Sequence, residues 1–186
     1  IGQMRSGYPD HIGGICWFGV DDTFFTCYVP VFVGNTSVPE PFARGDINKF
    51  SWDSMWWVFN FVSNLANVKY SYMIHDIQKV QDSLESEMIT HVERISNELL
   101  NHSKEEQIHE LTTFSNFWGD KVHNEWIALG EHLLTKYNDG YVKDENGNIQ
   151  EVGYPGGWKD QINSLYPDKH KIHEWKKDQS QDVLPY

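Results

Sequence analysis

One aromatic run, FSWDSMWWVFNFVSN at positions 50–64, constrains the fold of this chain more than any other stretch. Tryptophan and phenylalanine dominate it, and neither glycine nor proline interrupts it. Ser51 offers an N-cap and Asp53 falls in the first turn, so the sequence predicts a helix from Trp52 to about Ala66. Its apolar residues point in nearly all directions, which is typical of a buried helix. Such a helix needs cover on several sides.

A longer, more polar helix or helix pair is predicted after it, followed by a further long helix. From Val68 to Asn101, apolar residues recur at spacings of three and four, which predicts one apolar stripe. Ser103 and Glu106 form a predicted capping box that starts a further helix, running to about Tyr137. The two would pack as a long antiparallel pair. The carboxylates beside the first stripe are predicted to lie on a solvated face; they are Glu85, Glu87, Glu93 and Glu98.

A β-hairpin is predicted ahead of the helices, over residues 11–34. Both runs, ICWFGV and FFTCYVPVFV, are rich in β-branched and aromatic residues, and Val20-Asp21-Asp22-Thr23 suits a turn between them. Because most positions are apolar, we expect a sheet covered on both faces. The fold class is therefore α+β, mainly helical.

The amino-acid composition of the chain changes after residue 140. Asn146-Gly147 predicts a small terminal hairpin, and the Gly-, Pro- and charge-rich remainder is predicted to wrap the surface. We therefore expect two parts. Residues 1–140 would hold the hairpin 11–34 and the helices at about 52–137, and residues 141–186 the terminal hairpin and tail.

Composition excludes several classes of function. The net charge of −12 argues against binding nucleic acid, which needs clustered lysine and arginine. No apolar run is long enough to cross a membrane, and the N-terminal residues do not resemble a signal peptide. Because the sequence begins at Ile1 with residues typical of the middle of a protein, we expect this chain to be a fragment. Its compartment stays open between the cytoplasm and a secreted or periplasmic location.

No catalytic or metal centre stands out from the residues alone. His170 and His173, with Glu174 beside them, have the spacing of metal ligands, but a solvated basic segment is the favoured interpretation. Cys16 and Cys27 lie in apolar strand-like runs, where a thiol usually packs as a small hydrophobe. Neither a metal nor a cofactor is predicted. The remaining histidines on the helices are predicted at the surface; they are His75, His91, His102, His109, His123 and His132.

The amino-acid sequence of the first hundred residues resembles that of a known family. The segments QMRSGYPDHIGGICWFGVDDTFFTCYVPVFVG, VPEPF and GDINKFSWDSMWWVFNFVSNLANVKYSYMIHDIQKVQ are similar to the C-terminal third of the cysteine-nucleophile dipeptidases. These are N-terminal-nucleophile hydrolases, related in fold to penicillin V acylase and bile salt hydrolase. The resemblance implies an αββα sandwich, to which this chain gives a hairpin and much of a helical layer.

The resemblance also implies a thiol protease that hydrolyses dipeptides. Its nucleophile would be an N-terminal cysteine, and neither Cys16 nor Cys27 matches that position, so we expect the catalytic residue upstream and the chain alone inactive. Arg5, Asp21 and Asp22 flank the predicted strands and are the candidate substrate-binding residues; a surface arginine and an ordinary turn are the alternatives. The missing N-terminal portion, a dipeptide and a second copy in a homo-oligomer are the expected partners.

A different class of function stays open beside the dipeptidase. An independent module could bind carbohydrate or peptide through its tryptophans, since aromatic faces stack on sugars and cations. A structural helical domain with no site is the third possibility.

Overall fold

The computed structural model describes residues 1–151, 153 and 156–165. The chain divides into two compact units, Ile1–Val152 and Gly153–Tyr186. In the second unit the described element is helix α6, Gly156–Leu165. The predicted tail beyond residue 165, including His170, His173 and Glu174, lies outside the described residues. The proposed division of the chain at residue 140 stays a prediction.

A three-stranded antiparallel sheet forms the β part of the first unit. Its order is β1 (Gly2–Met4), β2 (Gly14–Phe18) and β3 (Val29–Phe32). The predicted hairpin is present as β2 and β3, but its connection spans residues 19–28 and is longer than the predicted four-residue turn. β1 was missed because three residues carry no readable alternation. His11, placed in a strand from sequence, lies in helix α1 (Asp10–Gly13).

The two faces of this sheet differ in cover. In the register, Ile15 pairs with Phe32 and Cys16 with Val31, so neighbouring residues of β2 point to opposite faces. Ile15 and Phe32 are buried, and this inner face packs against α1 and two long helices, α4 (Tyr70–Glu98) and α5 (Lys104–Lys136), in one hydrophobic cluster. On the outer face Met4 and Val33 are exposed. The expectation of a sheet covered on both faces holds only in part for the described residues, because on the outer face Val29 is fully buried and Phe18 packs edge to face on Phe42, whereas Met4 and Val33 remain exposed.

The aromatic run forms helix α3, Met55–Ala66, which begins later than predicted. Ser51 does not cap it; its Oγ accepts from Asp53 N in a turn ahead of the helix. One side of α3 is fully buried, and its members are Met55, Val58, Phe59, Val62, Ser63 and Ala66. The other side, with Trp57, Phe61 and Leu65, is only partly buried, and Phe50 and Trp52 just before the helix keep 45% and 44% of their surface exposed. The prediction of burial on all sides is therefore wrong for half of the run.

The two long helices form the predicted antiparallel pair. Helix α4 spans Tyr70–Glu98 and helix α5 Lys104–Lys136, joined by a 3₁₀ turn at Leu99–Asn101. The capping box is confirmed, with Ser103 Oγ accepting from Glu106 N and the Glu106 carboxylate accepting from Ser103 N. At the far end Lys136 Nζ lies 2.8 Å from Asp76 Oδ2. Trp118 and Trp126 of α5 are fully buried, and Trp126 stacks on Phe59 of α3.

Two short elements complete the first unit. Helix α2, Glu40–Ala43, lies in the connection between β3 and α3. The hairpin expected at Asn146-Gly147 is present as β4 (Val142–Lys143) and β5 (Ile149–Glu151). Gly147 has a φ of 82°, a left-handed conformation that favours glycine.

Candidate functional site

Arg5, the first predicted substrate-binding residue, is held inside the fold. Its Nη2 donates to Ile12 O at 2.7 Å and to Ser96 Oγ at 2.8 Å, and Nη1 lies 3.3 Å from Glu93 Oε1. The Tyr8 ring covers the guanidinium at 4.6 Å. Only 10% of the side chain is exposed. Arg5 thus ties the segment after β1 to helix α4.

Asp21 lies in the connection after β2 and joins it to helix α3. The carboxylate accepts from Asn60 Nδ2 at 3.0 Å and from Ser63 Oγ at 2.7 Å. Its φ of 61° is a left-handed conformation, which aspartate tolerates better than most residues. These contacts fix the path of the chain out of the sheet.

Asp22 is exposed and organises the same connection locally. One carboxylate oxygen accepts from Phe24 N at 2.9 Å, and its carbonyl accepts from Phe25 N. This is an Asx-turn, the geometry that makes aspartate common in turns. Arg5 donates its backbone N–H to Gly13 O just before β2, whereas Asp21 and Asp22 follow the other end of that strand. The structure therefore does not bring the three predicted residues to one place.

The two cysteines occupy opposite environments. Cys16 is exposed on the outer face of the sheet, while Cys27 is buried and belongs to the main core. Burial raises the pKa of the Cys27 thiol, and the Glu85 carboxylate adds to that rise. Cys27 is held as a neutral thiol, in agreement with the predicted packing role.

The described part of the chain has neither a metal-binding cluster nor a membrane-spanning helix. No group of three or more histidine, cysteine or acidic side chains there is arranged to hold a metal ion. None of its helices is long and apolar enough to cross a bilayer. His123, expected at the surface, is instead buried among α3 and α5, and desolvation lowers its pKa despite a hydrogen bond with the Trp52 backbone.

A cavity of about 460 Å³ lies between strand β1 and helix α4, and we call it the β1–α4 cavity. Trp17, Ile89 and Val92 give it an apolar wall. Two carboxylates, Glu85 and Glu93, also line it. Its remaining lining residues are Ile1, Gly2, Gln3 and Tyr28.

The two carboxylates of this cavity differ in their partners. Glu93 is half-exposed and lies against Arg5. Glu85 is half-buried, and its Oε1 accepts from Tyr28 N at 3.1 Å. Desolvation raises the pKa of Glu85, while the hydrogen bond from Tyr28 N acts in the opposite direction and lowers it. Repulsion from the Asp82 carboxylate raises the pKa of Glu85 further. The prediction of a solvated face is wrong for Glu85, because the chain leading into β3 folds over it; helical periodicity gave no signal of that contact.

A second surface feature surrounds the exposed side of the aromatic run. Rings pack edge to face, with centroids 4.8 Å apart for Phe50 and Trp52 and 5.2 Å apart for Trp52 and Phe61. A shallow cavity of about 360 Å³ lies there, lined by Phe50, Trp57, Asn60, Phe61, Asn64 and Leu65. We call this set with Trp52 the aromatic surface. It joins the Asp21 connection through Asn60.

Comparison with known families identifies the first part of the chain. The model of peptidase family C69 matches residues 1–83, which contain the sheet, α1 to α3 and the first half of α4. Residues 1–83 are therefore similar to this family, the dipeptidase family of cysteine peptidases, and the predicted resemblance is confirmed over that range. The match indicates a cysteine peptidase. No curated protein matches the chain.

Proposed function

We propose that this chain is the C-terminal part of a dipeptidase that hydrolyses dipeptides through an N-terminal cysteine located upstream of Ile1. The family match over residues 1–83 carries the proposal. In such an enzyme the cysteine thiolate attacks the peptide carbonyl, the free α-amino group serves as the base, and hydrogen-bond donors stabilise the oxyanion. No cofactor takes part.

The environments of the two cysteines support an upstream nucleophile. Cys27 is buried, and its thiol has a raised pKa, so it is neither accessible nor ionised at neutral pH. Cys16 is exposed, but its neighbours across the sheet are Gly2 and Val31, which offer no base. A nucleophilic thiol needs a base or a positive environment beside it.

The exposed part of the outer face of the sheet supports an αββα sandwich in the whole protein. Met4, Val31 and Val33 give that face an apolar surface, and a second sheet stacked about 10 Å away would bury it. The chain would then supply one sheet and the α4–α5 layer behind it, as part of an N-terminal-nucleophile hydrolase. The preceding part of the same protein is the proposed partner, and a homo-oligomer stays a prediction.

Substrate contacts at Arg5, Asp21 and Asp22 stay predictions, and they differ in what supports them. Asp22 is exposed, which suits a direct contact. The bonds of Arg5 to Ile12, Ser96 and Glu93 favour a positioning role, in which Arg5 fixes the segment after β1. Asp21 likewise holds Asn60 and Ser63.

The test compares this chain with the protein encoded by its complete reading frame. We expect the complete protein to release amino acids from dipeptides and residues 1–186 alone to release none. Replacing the upstream cysteine by serine or alanine should abolish turnover, while Cys16→Ser should retain it. Turnover by residues 1–186, or its loss in Cys16→Ser of the complete protein with the fold retained, would overturn the upstream nucleophile.

The aromatic surface supports a second candidate function, the binding of carbohydrate or peptide without catalysis. Half-exposed Phe50 and Trp52 beside the amide groups of Asn60 and Asn64 combine stacking surfaces with hydrogen-bonding groups. Titrating residues 1–186 with neutral oligosaccharides while recording the indole N–H signals by NMR tests it. A saturable shift of the Trp52 and Trp57 signals is expected if this function holds, and unchanged signals at millimolar sugar would reject it.

A further inference from the structure

The rings of the aromatic surface stand at steep angles to one another. The plane of Phe50 meets that of Trp52 at 89° and that of Trp57 at 60°. The planes of Trp52 and Phe61 meet at 71°. Three of these rings, Phe50, Trp57 and Phe61, line the shallow cavity of about 360 Å³. Because the rings are not parallel, they bound this cavity on more than one side, as the walls of a box do.

The hydrogen-bond donors around this cavity are directed at acceptors of the chain itself. Trp57 Nε1 donates its single N–H to Asp46 O at 2.9 Å. The amide nitrogen of Asn60 donates to Asp21 Oδ1 at 3.0 Å, and that of Asn64 donates to Asn60 O at 2.7 Å. Neither amide oxygen takes part in a hydrogen bond within the described residues. Ring faces and amide oxygens, which are both electron-rich, are therefore the main groups that the cavity offers a ligand.

The charges around the aromatic surface favour a cation, but not a strongly hydrated one. The chain carries a net charge of −12, which draws cations toward it. No carboxylate is among the described residues that line the cavity, so a primary ammonium group would lose water there without gaining an ion pair. A quaternary ammonium group carries no N–H to satisfy, and its methyl groups pack directly on ring faces. The negative faces of the rings then stabilise its charge.

We propose that the aromatic surface binds the trimethylammonium group of a small molecule, held between Phe50, Trp57 and Phe61. Two sources share this chemistry, namely a free cation such as choline and a zwitterion such as phosphocholine. The cavity of about 360 Å³ admits either one. It shares no lining residue with the β1–α4 cavity, and its ligand is neither a peptide nor a neutral sugar. The proposal does not depend on dipeptide turnover.

The experiment titrates residues 1–186 with three probes at constant ionic strength and follows the indole N–H signal of Trp57 by NMR, assigned with Trp57→Phe. Choline carries the trimethylammonium group alone, and phosphocholine carries it beside a phosphate. The third probe is the neutral isostere of choline, in which a tert-butyl group replaces trimethylammonium. We expect a saturable shift with choline and an affinity about tenfold or more lower for the isostere, because the two differ in charge and not in shape. If phosphocholine also shifts the signal, the site accepts zwitterions; if only choline does, it accepts free cations.

Three variants separate the ring face of Phe50 from its apolar volume. Phe50 is half-exposed, so Phe50→Leu should fold, and it should bind choline about fivefold or more weakly because it removes one ring from the cavity. Phe50→Tyr keeps a ring and should bind choline as the wild type does. Phe117→Leu is the matched control, since Phe117 is a half-exposed phenylalanine of helix α5 outside the cavity. Its affinity for choline should equal that of the wild type.

Three results would each overturn the proposal. They are the absence of a saturable Trp57 shift with choline, equal affinities for choline and its isostere, and equal affinities of Phe50→Leu and Phe50→Tyr for choline. Circular dichroism establishes that Phe50→Leu is folded before its affinity is compared; if it is not, the isostere comparison on the wild type decides. None of these results bears on dipeptide turnover by the complete protein or on the oligosaccharide titration, so each function is tested with its own ligand.

Discussion

The inner and outer faces of the three-stranded sheet are both apolar, yet they have different relations to the rest of the molecule. On the inner face Ile15 and Phe32 keep 2% and 1% of their surface exposed, whereas on the outer face Met4 and Val33 keep 79% and 61%. Alternation along a strand separates the two sets by a single residue. Hydrophobicity alone therefore does not tell which strand residues hold this chain together; the position of the α4–α5 layer does.

The first prediction removes one side chain from each face of the sheet and compares the losses of stability. Phe32 packs on Phe114 of α5 with ring centroids 6.0 Å apart, so Phe32→Ala should lower the free energy of unfolding by about 3–5 kcal/mol. Val33→Ala on the outer face should change it by less than about 0.5 kcal/mol. Urea unfolding of residues 1–186, followed by circular dichroism, measures both.

Equal losses of stability in these two variants would contradict the difference between the two faces. They would mean that the outer face is covered in solution, by a second copy or by another part of the chain. Repeating Val33→Ala over a range of protein concentrations distinguishes these, because only self-association makes the loss depend on concentration.

The second prediction concerns Arg5, which connects the segment after strand β1 to helix α4 of the α4–α5 layer. Arg5→Ala removes the hydrogen bonds to Ile12 O and Ser96 Oγ and should cost about 2–3 kcal/mol of unfolding free energy. Arg44 is the matched control, because it is exposed and pairs with Glu40 on the short helix α2. The urea midpoint of Arg44→Ala should equal that of the wild type, and an equally stable Arg5→Ala would show that these bonds add nothing.

The reactivities of the two cysteine thiols compare an exposed site on the outer face with a buried site in the core, and they do so without a change in packing. Cys16 of the outer face should react with a thiol reagent such as dithionitrobenzoate at least about 100-fold faster than Cys27, whose thiol is buried and has a raised pKa. Single Cys→Ser variants assign the two phases. In the complete protein, a second sheet on the outer face would slow Cys16; unchanged reactivity there would contradict the proposed sandwich.

The sequence predicted the helical layer better than the sheet. Helix α5 has two local signals in the sequence. Ser103 and Glu106 define its start, and one apolar stripe defines its buried side. The connection between β2 and β3 has none, since its path depends on the bonds of Asp21 to Asn60 and Ser63, which lie some forty residues further along the chain. Long-range contacts of this kind are invisible to local patterns.

The candidate site was harder to predict for the same reason. Glu85 has the helical phase of a surface carboxylate, and only the chain entering β3 makes it part of a cavity through Tyr28 N. Arg5 lies just after strand β1, but the sequence does not show that its guanidinium donates to Ile12 O and Ser96 Oγ, and its contact with substrate stays a prediction. The exposed half of the aromatic run was missed because periodicity gives the direction of a side chain and not the presence of a neighbour.

The last prediction is a pH dependence of the unfolding free energy that comes from His123 of helix α5. Desolvation lowers the pKa of His123 below its usual 6.5, so the unfolded chain takes up a proton before the folded one as pH falls. Stability from this residue is therefore present above about pH 6.5 and is lost as pH falls from there through the lower folded pKa, by at most about 1.4 kcal/mol per pH unit. His123→Gln should flatten this part of the curve, measured by urea unfolding at pH 7.5, 6.5 and 5.5. His109→Gln, at an exposed position of the same helix, should leave the curve as in the wild type, and an unchanged slope in His123→Gln would assign the pH dependence to other groups.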